Sequence, residues 1–172
     1  MVKNTLKLRC CHTGDTICVE KKLIIHRHRN GQISRIGTYV TLKDHYNNSR
    51  DVFARSLQYC IGPEIFFDGK GRVESIYVRG NPQSQSKVAH LNQCIWNSPI
   101  LWAKDFYANG KVKETHGFGP QGKFSPSLAM IAALKKEKLW DAVKQAVATQ
   151  LGEQPIQSTG QTGKISRRSR EK

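Results

Sequence analysis

The sequence is poor in acidic residues and has no long apolar run. Of its 172 residues, 13 are Asp or Glu and 28 are Lys or Arg, which gives a formal net charge of +15. No window approaches the ~18 consecutive apolar residues of a bilayer-spanning helix, and no apolar leader begins the chain. We therefore expect an intracellular, cytoplasmic protein that is neither secreted nor bound to membranes. Its length suits one domain with its own core.

The sequence also lacks the short motifs that mark common catalytic and cofactor sites. It has no Walker-type glycine loop, no Gly-x-Ser-x-Gly elbow and no His-Glu-x-x-His pair. Its carboxylates are scattered, whereas a metal-dependent nuclease needs several that converge. No set of residues therefore predicts catalysis, and we expect no cofactor.

The cysteines do not have the spacing of a metal site or of a disulfide framework. Their number is five, which is odd, and it favours free thiols in a reducing compartment. Cys10, Cys11 and Cys18 lack the Cys-x-x-Cys spacing typical of zinc sites. Cys60 and Cys94 each precede an isoleucine on the apolar side of a predicted helix, so we expect them to pack in the core.

A short phrase occurs three times at nearly constant spacing, at residues 30–33, 70–73 and 109–112. Each copy has a glycine followed by a long polar residue and a β-branched aliphatic residue, and the glycines lie 40 and 39 residues apart. A fixed period of this size indicates one structural unit used repeatedly. Asn-Gly between apolar runs predicts a hairpin tip with a type I′ turn, in which both central residues have positive φ. A further hairpin is predicted before the first copy, within residues 3–24.

The segments between the hairpins predict two helices. Residues 49–62 place their apolar side chains on one helical face, with Ser49 as the N-cap, Gly62 after the C-terminus and Pro63 as a stop. Residues 87–96 repeat part of that pattern and predict a second, less regular helix. The expected fold is therefore α+β, with three hairpin-plus-helix units after the N-terminal hairpin.

The C-terminal part predicts a helical segment followed by a tail. Ser125 and Pro126 begin the helical segment, and its apolar pattern bends or splits at residues 135–138. Residues 1–151 should form the single domain, and residues 152–172 a disordered basic tail that is too polar to bury a core. The tail has five basic and two acidic residues, a net +3, so the domain has the remaining +12.

The charge of the domain makes a polyanionic partner the main expectation. Phosphate neutralisation needs clustered Lys and Arg, and aromatic rings among them can stack on bases. We therefore predict a non-enzymatic binding protein whose partner is a nucleic acid, DNA or RNA. The predicted contact residues form three clusters: Arg27, Arg29 and Arg35; Lys135, Lys136 and Lys138; and Arg167, Arg168 and Arg170.

The hairpin phrases also resemble a known family of repeats. Residues 106–114, 66–74 and 28–33 are similar to variant MORN repeats of the YwqK-like family, in which an aromatic residue precedes Asn-Gly and a basic residue follows. The resemblance implies a non-catalytic, antitoxin-like scaffold that binds a protein, here one with an acidic surface. For this alternative we expect Trp102, Phe106 and Tyr107 to be the anchors.

A second alternative is a nuclease or hydrolase built on His26 and His28. Two residues apart in a predicted strand, they would point to the same side, a spacing with which sheets can hold a metal ion. No third ligand is identifiable from the sequence. We therefore expect no bound metal, and histidines exposed between arginines are the simpler interpretation.

Overall fold

The computed structural model of the protein describes residues 4–10, 14–48, 51–85, 95–117 and 123–148. This part is mainly β-sheet followed by two helices, so the expected α+β class is confirmed at that level. The helices are α1 (Leu128–Lys136) and α2 (Trp140–Ala148). The strands are β1 (Thr5–Arg9), β2 (Thr16–Glu20), β3 (Lys22–Arg27), β4 (Ile33–Asn48), β5 (Asp51–Phe67), β6 (Val73–Arg79), β7 (Gln83–Gln85), β8 (Ile95–Asn97), β9 (Ile100–Phe106) and β10 (Val112–Gly117).

Six of the strands form one antiparallel sheet in the order β10-β9-β6-β5-β4-β3. Strands that are neighbours in this sheet follow one another in the chain, except that the short β7–β8 pair lies between β6 and β9. β1 pairs with β2 in a separate hairpin, as predicted. This up-and-down order needs no long crossover, because antiparallel neighbours are joined at a shared end.

The three repeated phrases lie at the tips of the hairpins β3–β4, β5–β6 and β9–β10, as predicted. In the first tip the Gly31 N–H donates to the His28 carbonyl at 2.9 Å, and the His28 N–H donates to the Gln32 carbonyl at 2.8 Å. The same pair of bonds is formed by Asp68, Gly71 and Arg72 in the second tip and by Tyr107, Gly110 and Lys111 in the third. Three copies of one turn therefore close the three hairpins.

The turn type differs from the type I′ turn that the Asn-Gly pairs predict. Only the glycine of each tip has positive φ, which is +85° at Gly31, +77° at Gly71 and +79° at Gly110. Each tip is instead a three-residue loop, in which a type I turn is followed by a left-handed glycine. Beyond each tip the second strand has one further unpaired residue, Ser34, Glu74 or Lys113, which shifts the register of the ladder.

Side chains of the tips bond within a tip and across to the next one. The Oδ1 atom of Asn30 accepts from the Gln32 N–H at 3.1 Å, and its Nδ2 atom donates to the Gly69 carbonyl at 2.9 Å. Arg72 of the second tip donates through Nη1 to the Ala108 carbonyl of the third at 3.0 Å. The tips therefore lie side by side at one end of the sheet.

The helix predicted over residues 49–62 is wrong, because its described part, residues 51–62, belongs to strand β5. β5 pairs with β4 through fourteen residue pairs, of which eleven fall within residues 51–61. Gly62, with φ +66°, lies at a bulge and not after a helix. The bulge leaves Gly62 and Pro63 without partners on β4, so the missing N–H of proline breaks no bond of that ladder.

The other predicted helices have different outcomes. Most of the segment 87–96 lies outside the described residues, and its last two residues begin strand β8. The C-terminal segment forms two short helices, as the split pattern predicts. Its N-cap is Ser127 and not Ser125, and Ser127 Oγ accepts from the Met130 N–H at 3.2 Å. The predicted tail, residues 152–172, lies outside the described part.

One face of the six-stranded sheet packs against α1 and α2. Ile36, Ile65 and Ile76 are neighbours across β4, β5 and β6, and each is at most 1% exposed. Met130 and Leu134 of α1 have no exposed surface and belong to the same core cluster. Burial of this apolar surface is the main source of stability. Neither described helix is long and apolar enough to cross a membrane.

A second, smaller core lies where β4 and β5 extend beyond the end of β6. Val40 and Leu42 of β4 and Ile61 of β5 pack there with Leu8 of β1 and Trp96 of β8. The N-terminal hairpin therefore covers the part of the sheet that the helices do not reach.

We expect Gly110→Ala to lower the free energy of unfolding by about 1–2 kcal/mol, because a Cβ disfavours the left-handed backbone. No heavy atom lies within 4 Å of where that Cβ would be, so the loss is one of backbone conformation alone. Urea unfolding monitored by circular dichroism measures it. Gly117→Ala, in the same hairpin and equally unobstructed but without positive φ, is the matched control and should change little. Equal losses in both variants would contradict the turn assignment.

Candidate functional site

The face of the six-stranded sheet opposite the helices is here called the distal face. Along each strand, side chains alternate between the two faces, so the neighbours of the core isoleucines point to the distal face. They include Arg35 of β4, Glu64 and Phe66 of β5, and Tyr77 of β6. In the described part of the chain, neither helix packs on this face, and its side chains form one contact network.

A buried carboxylate lies at the centre of the distal face. Glu64 is 3% exposed and receives a hydrogen bond from the Tyr39 hydroxyl. The Arg79 guanidinium donates through Nε to Glu64 Oε2 at 3.0 Å, and Arg35 Nη1 lies 3.8 Å from Glu64 Oε1. A buried charge is stable only when it is paired and hydrogen-bonded, and these three side chains supply both.

A glycine lets the Tyr39 ring reach this position. A Cβ on Gly37 would lie 2.9 Å from Tyr39 Cε2, closer than side chains pack, and 3.2 Å from Cys60 Sγ, a tight contact. The ring therefore lies against the Gly37 backbone, with its hydroxyl directed at Glu64. Burial, together with the hydrogen bond to Glu64, raises the pKa of the Tyr39 phenol well above its ordinary value. The hydroxyl thus stays protonated and remains a donor.

Two arginines are held over aromatic rings on the distal face. The Arg35 guanidinium carbon lies 5.8 Å from the centre of the Tyr39 ring and 5.9 Å from that of Phe66. The Arg79 guanidinium carbon lies 5.6 Å from the centre of the Tyr77 ring. Phe66 and Tyr77 meet edge to face with their ring centres 5.6 Å apart. Cation–π attraction and the carboxylate therefore fix both guanidinium groups.

The Cys60 thiol lies beside this network but is not a nucleophile. Burial and the nearby Glu64 carboxylate raise the pKa of the Cys60 thiol to about 12. Because the thiolate is the reactive form, the buried thiol is inert at neutral pH. Cys60 is buried, as predicted, although it lies on a strand and not on a helix.

The predicted basic residues do not come together in one surface. Arg35 lies on the distal face and Arg29 is exposed at the first tip. Arg27 donates to Glu137 at 2.8 Å and so joins the first hairpin to the end of α1. Lys135 and Lys136 lie in the last turn of α1, on the helix side, where they interact favourably with the helix dipole. Lys138 follows α1, and Arg167, Arg168 and Arg170 lie outside the described residues.

The two histidines do not converge. Arg35 Nη2 lies 2.8 Å from His26 Nε2, on the distal face. His28 lies in the first tip, with Nε2 2.9 Å from the Phe67 carbonyl oxygen. β3 ends at Arg27, so His28 belongs to the turn and not to the strand that contains His26. The shared side that a regular strand would have given them is therefore lost.

Two of the three predicted protein anchors lie in the core. Trp102 is 8% and Phe106 is 7% exposed, and both pack in the cluster under the helices. Tyr107 is 53% exposed beside the third tip. Only Tyr107 is therefore placed to contact a partner.

A mixed cluster at the β9–β10 edge has the ligand types of a metal site. The donor atoms of Asp105, Glu114 and His116 lie within 4.8 Å of one another. His116 Nε2 is 3.4 Å from Glu114 Oε1 and 3.9 Å from Asp105 Oδ2. Among the described residues, this is the group whose donor atoms are close enough to hold an ion. The two carboxylates also make this edge of the distal face acidic.

Sequence reasoning missed Tyr39, Glu64, Phe66, Tyr77 and Arg79. Their spacing in the sequence is a usable signal. Tyr77 and Arg79 are two residues apart, as are Arg35, Gly37 and Tyr39, and this spacing places side chains on one face of a strand. Glu64 was missed because the helix predicted over 49–62 ended just before it, so the strand that contains Glu64 was not extended back to pair with β4.

We expect Tyr39→Phe to lower the free energy of unfolding by about 1.5 kcal/mol, because a hydrogen bond to a buried charge is lost. Urea unfolding at pH 7 measures the change. Tyr107→Phe removes a hydroxyl from an exposed ring and is the matched control, with an expected change near zero. A Tyr39→Phe protein as stable as the wild type would contradict the buried Glu64 arrangement.

We also expect Cys60 to resist alkylation by iodoacetamide in the folded protein at pH 8, while the exposed Cys18 reacts. The rate follows the thiolate fraction, which the pKa of about 12 keeps very small at Cys60. Peptide mass spectrometry before and after unfolding in urea measures labelling at each site. Equal labelling of both cysteines in the folded state would show that Cys60 is not buried.

In comparisons with known proteins, no family model matches the chain, and neither a curated protein nor a solved structure matches it. The resemblance to variant MORN repeats therefore stays a prediction that rests on the repeated phrases. Function has to be argued from the site, because a fold by itself does not determine it. The distal face, with its fixed arginines and aromatic rings, is the candidate site.

Proposed function

We propose that this protein binds single-stranded nucleic acid through the distal face of its sheet. One observation carries the proposal: Arg35 and Arg79 are held over the rings of Tyr39, Phe66 and Tyr77 on the face that the helices leave free. A nucleic acid is a polyanion, the class of partner that the net charge of +15 favours.

The chemistry of this face suits an unpaired strand. Unstacked bases bind to aromatic rings and to the flat faces of guanidinium groups, and sheet surfaces present such groups in one plane. Phe66 and Tyr77 are partly exposed, so both have ring surface available for stacking. A duplex keeps its bases stacked inside, so their faces are not available to these aromatic rings.

The distribution of charge gives the bound strand a place on the face. Arg35 and His26 lie toward β3, and Arg79 lies at the end of β6, whereas Asp105 and Glu114 make the β9–β10 edge acidic. Phosphate groups are attracted to the side of the face with the arginines and repelled by the acidic β9–β10 edge. The strand should therefore cross β4, β5 and β6.

The two alternatives receive less support from the geometry. Trp102 and Phe106 lie in the core, so a protein-binding scaffold would have Tyr107 as its remaining predicted anchor. His26 and His28 have separate partners, so a catalytic pair is not formed in this arrangement.

We expect Tyr77→Leu to weaken binding of a labelled 12-nucleotide single strand by about tenfold, because stacking on one aromatic ring contributes about 1–3 kcal/mol. Fluorescence anisotropy with single-stranded RNA, single-stranded DNA and duplex DNA over a salt series measures the affinities. Leucine keeps the side chain apolar, and thermal unfolding verifies that the variant is folded. Lys136→Ala, on the helix side, is the control and should leave the affinity within about twofold.

Tight binding of single strands that weakens steeply with salt would support the proposal. Wild-type protein that binds none of the three nucleic acids at moderate salt would overturn it. A larger loss from Lys136→Ala than from Tyr77→Leu would move the interface to the helix side of the sheet.

A further inference from the structure

A pocket of 290 Å³ opens on the distal face where β6 ends. β5 continues past the last residue of β6, and Asn97 of β8 and the following Ser98 also line the pocket. Its polar lining includes Arg35, Cys60, Glu64, Arg79, Asn97 and Ser98. The pocket is therefore continuous with the carboxylate–arginine network of the proposed interface.

The Ser98 hydroxyl is the most unusual group in this pocket. Ser98 is 9% exposed, and its Oγ atom has no hydrogen-bond partner among the described residues. Among the described residues, Ser98 Oγ is the buried side-chain polar atom that lacks a hydrogen bond. Such a group lowers stability unless something binds to it. A ligand with an acceptor oxygen would satisfy it.

Arg79 supplies a second set of available donors. Its Nε–H is bonded to Glu64 and its guanidinium lies over Tyr77, so the group is fixed in orientation. The N–H groups of its two terminal nitrogens form no hydrogen bond with the described residues. A guanidinium that is held through Nε presents these groups as a planar fork, which matches the oxygens of a phosphate.

The charge of the pocket selects the kind of anion. Two guanidinium groups and one carboxylate leave a net charge of +1 in its lining. A phosphodiester has a single negative charge and two unesterified oxygens that accept hydrogen bonds. The pocket therefore suits one backbone phosphate better than a dianion, which would leave a net negative charge beside the buried Glu64.

We infer that this pocket binds one backbone phosphate of the nucleic-acid strand, with Ser98 Oγ–H and the terminal N–H groups of Arg79 as donors. The inference rests on the proposed function and deepens it, because it fixes where the backbone enters the distal face. Glu64 has no direct contact with the strand in this arrangement. It is a positioning residue that orients the two arginines.

Ser98→Ala gives a test in which folding and binding change differently. The substitution removes an unsatisfied buried hydroxyl, so the variant should be at least as stable as the wild type. Its affinity for a single strand should fall by about tenfold, because a hydrogen bond to a charged group is lost. Ser75→Ala is the matched control, since Ser75 is equally buried on the same face but does not line the pocket. It should leave the affinity unchanged.

A strand with uncharged methylphosphonate linkages tests for the phosphate itself. Wild-type protein should bind it more weakly than the natural strand, and Ser98→Ala should lose less than the wild type on the same exchange. Arg79→Lys keeps the positive charge beside Glu64 but removes the fork, so it should also weaken binding of the natural strand.

The outcomes separate this inference from the proposed function. If the wild type binds single strands and Ser98→Ala binds them equally well, the pocket is not the phosphate site and the proposed function stands. If the wild type prefers strands with a terminal phosphate and Ser98→Ala loses that preference, the pocket binds a terminal phosphate and the inferred backbone phosphate is excluded. If the wild type binds no strand, both proposals fail.

Discussion

A single buried carboxylate is the constraint on which the distal face depends. Glu64 is charged and almost without solvent contact, so it needs a compensating partner from each neighbouring strand. β4 supplies Tyr39 and Arg35, and β6 supplies Arg79. A shift of either strand by one residue would turn these side chains to the opposite face and leave the carboxylate unpaired. The charge therefore specifies the register of the three central strands.

The parts of the fold that sequence reasoning predicted are those that local chemistry determines. A glycine with positive φ closes each tip within five residues, so the tips at Gly31, Gly71 and Gly110 were visible without knowledge of their neighbours. The division of the C-terminal segment into α1 and α2 was equally local. The turn type was not, because Asn-Gly suits both a two-residue loop and the three-residue loop that forms.

The errors arise where pairing partners decide the structure. The apolar residues of 49–62 fit a helical face, yet eleven pairs with β4 make residues 51–61 part of a strand. Short apolar patterns do not distinguish the two states. The site itself joins Arg35, Glu64 and Arg79, which are far apart in the chain and meet only through the register of β4, β5 and β6. The clustering of charge in the sequence predicted Lys135, Lys136 and Lys138 as contact residues, and these lie on the other side of the sheet.

The position of the two helices at the end of the described chain has a consequence for how the protein is made. Synthesis proceeds from the N-terminus, so all six strands of the sheet leave the ribosome before α1 and α2 do. Until α1 has emerged as well, the isoleucines of β4, β5 and β6 have no helix to cover them. The nascent sheet therefore passes through a stage in which its apolar face is open to chaperones or to another nascent chain, and docking of the helices ends that stage.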